Sequence, residues 1–288
     1  MASSVATKIL IIGCGDLGTA VAQQLVQSGV YTIGVRRSAV VIDGVLIIQA
    51  DVTQPDTLES LRAIQPEIVV YCVAAEAQMN AAYKAAYVDG LRHVLATQIS
   101  NSNLKHVFFV SSTRVYGQNT DTLLDESILA TPTDFGGERL LEAEALLQSL
   151  ACPATTLRLS GIYGPRRLRM INLAQSPERW PYQNSWSNRI HRDDAAAFIV
   201  FLIQQVLAGT TPQACYVVTD SQPVTQYEVL NWIAAKLGTA PQTIPAAAGG
   251  KRLSNQAMLA TGFQLQYPTY QAGYQALLLN ELTVNAIS

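Results

Sequence analysis

Hydrophobic residues in the first half of the chain fall into short continuous runs, separated by helical periods or short polar connections. Runs such as 68–73 and 106–110 are largely apolar at consecutive positions rather than at alternate ones. Strands buried on both faces have this pattern, and they form parallel sheets whose crossover helices cover each face. We therefore predict strands near 8–12, 31–35, 45–49, 67–73 and 106–111 in a doubly wound parallel sheet, an α/β fold of the Rossmann type.

The first predicted strand leads directly into a glycine-rich turn, Gly13-Cys14-Gly15-Asp16-Leu17-Gly18, after which residues 19–26 have a helical pattern. Gly13 allows the tight turn, Gly15 removes the Cβ that would block a pyrophosphate, and Gly18 lets helix and strand approach closely. The amides at the helix N-terminus are then available to the anion. The turn predicts an NAD or NADP site at Gly13, Gly15, Asp16, Leu17 and Gly18; the alternative is a glycine turn that only closes a βα unit.

The strand and helix alternation continues to about residue 160 and then changes. A helix near 137–150 and a strand near 154–160 extend it, whereas a Tyr-Gly-Pro turn at 163–165 and a Pro-, Trp- and Asn-rich stretch at 176–188 interrupt it. We predict a dinucleotide-binding domain at 1–160 and a smaller substrate-binding subdomain at 161–288, with some of its elements returning to the Rossmann sheet.

Composition indicates a soluble enzyme. The 288 residues carry a net charge of −2, and the basic residues are scattered except at Arg166-Arg167-Leu168-Arg169, so no nucleic-acid footprint is evident. The apolar stretch 195–203 is shorter than the roughly 20 residues of a membrane-spanning helix, and the first residues do not resemble a secretion signal. Four widely spaced cysteines and three histidines give no metal-ligand or disulfide pattern. We therefore expect a cytoplasmic protein without a metal.

Six segments in order along the chain carry a resemblance to one family. They are the glycine turn, Ala50–Thr53, Cys72–Ala75, Val110–Gly117, Leu157–Pro165 and Arg189–Ala195. Together they resemble the extended and atypical branch of the short-chain dehydrogenase/reductase superfamily, the NAD-dependent epimerase/dehydratase group.

The resemblance implies roles for individual residues. Asp51, with Val52, would hold the adenine, and the adenosine side would be lined by Val73, Ala74 and Ala75. Ser111 would lie at the cofactor, and Ser160 with Gly161 would border the nicotinamide. It also implies a homodimer formed through two helices, for which the regions near 81–100 and 137–150 are the candidates.

The choice between NAD and NADP depends on the end of the second strand, where NAD-binding folds carry a carboxylate for the ribose 2′-hydroxyl. Here the strand ends in Arg36 and Arg37. A guanidinium can bind a 2′-phosphate through charge-assisted hydrogen bonds, so we favour NADP(H), with NAD as the alternative if both arginines are merely solvated.

Proton transfer in the resembled family uses a tyrosine, a lysine four residues later and a strand-end hydroxyl. Ser112 matches that hydroxyl, four residues before Tyr116, and could hydrogen-bond a substrate oxygen or only satisfy backbone. The Tyr-x-x-x-Lys pair is missing in both possible registers. One register puts Phe135 and Arg139 in the two slots; the other, which matches Pro132, Gly137 and Glu144, puts Gly136 and Leu140 there.

None of these four residues replaces the missing pair. Arginine stays charged and can orient or bind an anion, but it is a poor general base, so Arg139 is only a candidate catalytic residue. Substitutes nearby are Tyr116, Tyr163, Asp134 and Glu138, each of which also fits a packing or solvated position. A second departure is Tyr87, where the extended branch carries an active-site asparagine.

Two later segments offer further candidates. Asp193 or Asp194 could cap the helix that follows them, and His191 would be an acid/base candidate, although the resemblance makes it structural. Arg166, Arg167 and Arg169 could bind an anionic substrate such as a nucleotide sugar, or be solvated surface.

Two functions remain open. The first is an NAD(P)-dependent oxidoreductase or epimerase/dehydratase-like enzyme with a displaced acid/base set, acting on an unidentified small substrate with Ser112 polarising a substrate oxygen. The second is a non-catalytic dinucleotide-binding redox sensor or regulatory protein. The missing pair favours the second, and the long substrate region favours the first.

Overall fold

The computed structural model describes residues 7–285, and the first six residues, which we interpreted as lacking a secretion signal, lie outside them. The strands are β1 (Lys8–Ile12), β2 (Tyr31–Arg36), β3 (Val45–Gln49), β4 (Ile68–Tyr71), β5 (His106–Ser112), β6 (Leu123–Leu124), β7 (Ala154–Leu159), β8 (Gly161–Tyr163), β9 (Trp186–Ser187), β10 (Arg189–His191), β11 (Cys215–Val218), β12 (Val224–Thr225) and β13 (Arg252–Leu253). The α-helices are α1 (Asp16–Gln27), α2 (Asn80–Tyr83), α3 (Gly90–Thr97), α4 (Phe135–Leu146), α5 (Arg169–Ala174), α6 (Arg192–Leu207), α7 (Gln226–Lys236), α8 (Gln256–Ala260) and α9 (Tyr270–Asn285).

Seven of these strands form one sheet in the order β11-β7-β5-β4-β1-β2-β3, and the four strand pairs from β5 to β3 are all parallel. This confirms the predicted doubly wound α/β fold. Strand order reverses between β1 and β4, and in open parallel sheets the crevice beyond the carboxyl ends at such a reversal is where ligands bind. The glycine turn follows β1 at this position.

The apolar runs read from the sequence are the centre of this sheet. All four residues of β4 are fully buried, as are Ile9 to Ile12 of β1. Burial at consecutive positions means that both faces of these strands are covered, which explains why the apolar residues are consecutive rather than alternating.

By contacts the chain divides into two compact units. Unit 1 comprises residues 1–117, 130–158 and 196–216, and unit 2 comprises residues 118–129, 159–195 and 217–288. The predicted domain boundary at 160 stays a prediction. No helix within residues 7–285 is both long and apolar enough to cross a membrane.

In unit 1, β5 and β7 carry a buried polar pair. His106 Nε2 lies 2.9 Å from Thr155 Oγ1, and the threonine hydroxyl donates to the Gln213 carbonyl at 2.9 Å, so the imidazole is the donor to Thr155. Burial lowers the pKa of His106 to about 4. The folded state therefore holds this imidazole neutral at a pH where an exposed histidine would be protonated.

We predict that this histidine makes the folded state sensitive to mild acid. An unfolded histidine takes up a proton near pH 6.5, so its contribution to stability is full above that pH and is lost as the pH falls toward about 4. Between pH 7 and pH 5 the unmodified protein should lose roughly 2 kcal/mol more of unfolding free energy than His106→Gln does. Urea unfolding at the two pH values measures this; equal losses in both proteins would contradict it.

Candidate functional site

The glycine turn is held against the segment that follows β4. Gly13 has a φ of +96°, and a Cβ at this position would lie 2.7 Å from the Cys72 carbonyl oxygen and 2.9 Å from the Val73 nitrogen. The Val35 carbonyl accepts from the amides of both Gly13 and Cys14, at 2.9 and 3.0 Å. Only glycine meets the backbone angle and the close approach together, so the turn is fixed to its two neighbouring strands.

Gly15 and Gly18 differ in what surrounds them. A Cβ on Gly18 would overlap the Gly13 carbonyl, whereas a Cβ on Gly15 would meet no protein atom within 4 Å. Gly15 is exposed, and α1 begins at the next residue, where a helix leaves its first amides without intrahelical partners. The bare backbone at Gly15 is therefore not required by protein packing, and it fits the approach of a pyrophosphate.

The neighbouring cysteine is a packing residue. Cys14 is fully buried, and burial raises the pKa of its thiol to about 11. A Cβ on Gly34 would lie 2.5 Å from its sulfur, so the thiol occupies space against β2.

The residues proposed to hold the adenosine lie in unit 1. Asp51 Oδ1 accepts from the Thr53 amide at 2.9 Å and from the Thr53 hydroxyl at 2.8 Å, which fixes the carboxylate after β3. Val52 is buried, and its carbonyl lies 2.9 Å from His93 Nδ1. Val73 contacts the glycine turn as described above.

Tyr87, which replaces the expected asparagine, lies beside this segment. It falls in a π-helical stretch, Lys84–Asp89, between α2 and α3. Burial raises its pKa to about 12, against the effect of a hydrogen bond with the Ala75 backbone. The carbonyl of Ala86 in the same stretch accepts from the buried Tyr71 hydroxyl. A π-turn is a distortion that often accompanies functional sites, and here it turns a tyrosine toward the end of β4.

The two arginines at the end of β2 have different partners. Arg36 Nη2 donates to Ser38 Oγ at 2.9 Å, and Arg37 forms an ion pair with Glu76. Because a carboxylate already offsets Arg37, Arg36 is the better placed of the two to meet a phosphate.

Ser111 is part of a buried network. Its hydroxyl donates to Glu144 Oε1 at 2.6 Å, and Glu144 Oε2 accepts from Arg158 Nη2 at 2.7 Å. Arg158 also donates to the Tyr116 hydroxyl at 2.7 Å. The Arg158 and Glu144 side chains are only 12% and 11% exposed. The Ser111 hydroxyl is thus committed to packing α4 on the sheet, and its predicted place at the cofactor stays a prediction.

Ser112, the candidate catalytic hydroxyl, ends β5 at the carboxyl edge of the sheet. Its oxygen accepts from the Arg114 amide at 3.2 Å, which caps the short 3₁₀ turn that follows. The side chain is half-buried, and a hydroxyl that accepts one hydrogen bond still has its own proton to donate. Both alternatives for Ser112, backbone satisfaction and substrate contact, are compatible with this geometry.

Arg139, the second candidate, is held on the outside of α4. Its Nε donates to Asn80 Oδ1 at 2.8 Å and its Nη1 to Glu142 Oε2 at 2.5 Å. These contacts join α4 to α2, and a catalytic role for Arg139 has no support from them.

Arg114 was not among the predicted site residues. Its Nε donates to both oxygens of Asp134 at 2.9 and 3.0 Å, and its Nη1 donates to Gln78 Oε1 at 2.7 Å and to the Tyr83 hydroxyl at 2.8 Å. In the sequence Arg114 is only an arginine two residues after Ser112, because all of these partners come from distant segments.

Unit 2 contains the remaining predicted positions. Ser160 is buried, and its hydroxyl donates to the Val218 carbonyl at 3.3 Å, while Gly161 is exposed and its amide donates to the Asn188 carbonyl at 3.2 Å. Their predicted proximity to the nicotinamide stays a prediction.

The interpretation of Asp194 as a helix cap was wrong. Its two carboxylate oxygens accept from the amides of Gln266 and Tyr267 at 2.7 and 2.9 Å, so it binds a distant loop. The Asp193 amide in the first turn of α6 donates to His191 Nδ1 at 3.2 Å instead. Burial lowers the pKa of His191 to about 4, which keeps this ring nitrogen an acceptor.

The short basic cluster lines a cleft of unit 2. Arg166, Arg167, Arg169 and Arg179 border a cleft of about 760 Å³ together with Asn172 and Gln226. Arg166 has a φ of +65°, which places it in the left-handed region. Guanidinium groups bind phosphates and carboxylates through paired hydrogen bonds, so a cleft bordered by four of them is suited to a multiply charged anion.

This chain is similar to known proteins in sequence and in fold. The sequence model of the NAD-dependent epimerase/dehydratase family matches residues 9–218. Among curated proteins no sequence matches significantly. A structure from Methylobacillus flagellatus assigned to the NAD-dependent epimerase/dehydratases is 49% identical, covers 96% of this chain and 98% of its own, and superposes with a TM-score of 0.87.

Two more distant structures show the same fold. The Bordetella bronchiseptica enzyme WbmG in complex with NAD and UDP is 18% identical over 95% of this chain and 94% of its own, with a TM-score of 0.78. The UDP-glucuronic acid 4-epimerase of Bacillus cereus in complex with NAD is 16% identical over 93% of this chain and 96% of its own, with a TM-score of 0.73.

We expect the adjacent serines to separate packing from binding. Ser111→Ala removes a hydrogen bond to a buried carboxylate and should lower the unfolding free energy by about 2 kcal/mol, with unchanged affinity for NADPH. Ser112→Ala removes only a weak acceptor and should cost less than about 1 kcal/mol. Denaturant unfolding and calorimetric titration measure the two quantities. A Ser111→Ala protein of normal stability that binds NADPH poorly would show direct cofactor contact instead.

Proposed function

The chain belongs to the NAD-dependent epimerase/dehydratase family, and we propose that it binds a pyridine dinucleotide at the glycine turn and uses it in hydride chemistry on a small substrate. The observation that carries this proposal is the open backbone at Gly15. A glycine kept only for packing would have a neighbour where its Cβ would be, as Gly13 and Gly18 do, and Gly15 has none within 4 Å.

The chemistry divides between cofactor and protein. A bound dinucleotide would supply the hydride acceptor or donor. The protein would bind the phosphates at the start of α1, fix the adenosine with Asp51 and the segment after β4, and present Ser112 at the carboxyl edge of β5. The Ser112 proton can be donated to a substrate carbonyl or hydroxyl oxygen, which would polarise that oxygen during hydride transfer.

We further propose NADP(H) as the preferred cofactor and NAD as the alternative. The sequence places Arg36 and Arg37 where an NAD-binding protein would carry an acid. Arg36 is paired only with a neutral serine hydroxyl among its described hydrogen bonds, so a dianionic 2′-phosphate could add a charge-assisted contact. Glu76, held by Arg37, opposes this preference by its charge.

For the substrate we propose a phosphate-bearing compound of the nucleotide-sugar class. The four arginines of the unit 2 cleft support a polyanion, and two structures of the same fold contain UDP or act on UDP-glucuronic acid. A cytoplasmic location is also proposed, from the composition, and a homodimer formed through the regions near 81–100 and 137–150 is proposed on the family resemblance.

A second function has one specific observation in its favour. Neither slot of the expected Tyr-x-x-x-Lys pair holds a group that transfers protons, and Arg139 is engaged with Asn80 and Glu142. A dinucleotide-binding redox sensor or regulatory protein would need the cofactor site without that pair.

Turnover distinguishes the two functions. We expect the NADPH-loaded protein to convert a member of a panel of carbonyl compounds and nucleotide sugars, measured by NADPH absorbance and by chromatography. Ser112→Ala should lower kcat roughly 100-fold and leave NADPH affinity unchanged. Gly15→Ala should keep the melting temperature and weaken NADPH roughly tenfold or more, because its Cβ projects into the phosphate path. Tight NADPH binding with no turnover anywhere in the panel would support the sensor.

Cofactor preference gives a separate prediction. Arg36→Ala should weaken NADPH roughly 10- to 100-fold while changing NADH little, since only NADPH loses a charge-assisted hydrogen bond. Glu76→Gln is the matched opposite change and should strengthen NADPH relative to NADH by removing a nearby negative charge. Fluorescence titration with both cofactors measures the ratios. Equal effects of Arg36→Ala on the two cofactors would remove the argument for NADP(H).

A further inference from the structure

The Arg114 guanidinium is held by two aromatic rings and a carboxylate. Its guanidinium carbon lies 5.0 Å from the centre of the Tyr83 ring and 5.2 Å from that of Phe135, and Asp134 binds its Nε. Asp134 also caps α4, because its Oδ1 accepts from the Gly137 amide at 2.9 Å. The two aromatic faces and the carboxylate hold the planar group in one orientation.

The guanidinium occupies the space beside Gly136. A Cβ on Gly136 would overlap the Cζ and nitrogen atoms of Arg114. In the register that matches Pro132, Gly137 and Glu144, residue 136 is the slot of the missing tyrosine. A cation carried by the short turn after β5, two residues beyond Ser112, therefore lies where a side chain of α4 would otherwise project.

The donors of Arg114 are not all used. Asp134 takes Nε, and Gln78 and Tyr83 take Nη1, but no hydrogen bond within the described part of the chain involves Nη2. The side chain is 30% exposed, so these N–H groups can meet a ligand. Gln78 is itself exposed and can be displaced without leaving a buried group unsatisfied.

The charge of this group selects the kind of ligand. Partial burial works to raise the pKa of Asp134, but the hydrogen bonds from the Gly137 amide and Arg114 outweigh it and leave that pKa below its usual value. Asp134 is therefore charged and offsets much of the arginine. Because Asp134 cancels most of the arginine's charge, the doubled charge of a phosphate dianion gains little attraction here, whereas the remaining N–H donors can bind the oxygens of a planar carboxylate.

We propose that Arg114 is a specificity determinant that binds a carboxylate of the substrate, and that the protein acts on sugar acids rather than on neutral sugars. The inference rests on the proposed function in one respect, that the carboxyl edge of β5 at Ser112 faces the substrate. The guanidinium does not replace the tyrosine in proton transfer, because it stays protonated at any working pH. It places a substrate anion beside Ser112.

The test compares three sugars that differ only at carbon 6. The affinities of D-glucuronate, D-glucose and D-glucose 6-phosphate for the full chain, with and without saturating NADPH, are measured by ligand-observed NMR. We expect D-glucuronate to bind at least about tenfold more tightly than D-glucose, which corresponds to about 1.4 kcal/mol. D-glucose 6-phosphate can bind at the unit 2 arginines, so its affinity should not change in Arg114→Gln. Arg114→Gln should abolish this preference and leave the affinity for D-glucose unchanged. Arg114→Lys should keep part of it, since a lysine retains the charge but not the fixed planar donors.

Arg139→Gln is the matched control, because it removes another guanidinium that binds the α2 region but does not lie beside Gly136, and it should leave the preference intact. A preference that survives in Arg114→Gln, an equal loss of affinity for D-glucose 6-phosphate in that variant, or no discrimination between D-glucuronate and D-glucose by the unmodified protein would each overturn the proposal. If Arg114→Gln does not fold, the unmodified protein and Arg114→Lys still decide it. NADPH affinity is read in the same samples, so failure of the dinucleotide site is recognised separately from failure at Arg114.

Discussion

The close approach of two backbone segments at the carboxyl edge of the sheet is the constraint on which the site depends. The turn after β1 touches the segment after β4 with no room for a side chain at Gly13, and the first turn of α1 rests on the Gly13 carbonyl at Gly18. Both contacts lie at the reversal of strand order between β1 and β4. Substitution at either glycine would move α1 and so displace the helix N-terminus on which a pyrophosphate would rest.

A buried ion pair positions the other half of the same edge. Arg158 on β7 and Glu144 on α4 are almost completely shielded from water, and Ser111 on β5 shares the carboxylate. Removing one partner would leave a buried charge without compensation, which is far more costly than the pair itself is stabilising. The network therefore specifies how α4 lies on β5 and β7, and it determines where Asp134, at the N-terminus of α4, meets Arg114 of the segment after β5.

Prediction from sequence succeeded where local chemistry determines structure. The continuous apolar runs indicated buried parallel strands, and the spacing of three glycines indicated a tight turn between β1 and α1. It failed at Asp194 because the amides that donate to that carboxylate come from a loop more than seventy residues later along the chain, and a capping position looks the same in sequence. Arg114 was missed for a related reason: its partners lie on the segments around Gln78, Tyr83 and Asp134, and only the fold brings them together. The π-turn at Tyr87 likewise depends on the Tyr71 hydroxyl of a neighbouring strand.

The expected tyrosine is absent, and Arg114 fills the space beside Gly136, so the chemistry available at the edge of β5 is different. A tyrosine whose pKa is lowered by a lysine takes or gives a proton as the hydride moves. This proton transfer is lost when Gly136 and Leu140, or Phe135 and Arg139, occupy the positions of the tyrosine and lysine. A guanidinium held between two rings and a carboxylate offers a fixed orientation and a charge that does not titrate. On β5, the side chain that has a predicted catalytic role and can donate a proton is then Ser112. A serine hydroxyl without a neighbouring base or acid is a weak acid. Reactions that need strong general acid or base catalysis are therefore disfavoured here, and those in which a neighbouring anion and carbonyl are held in a defined orientation are favoured.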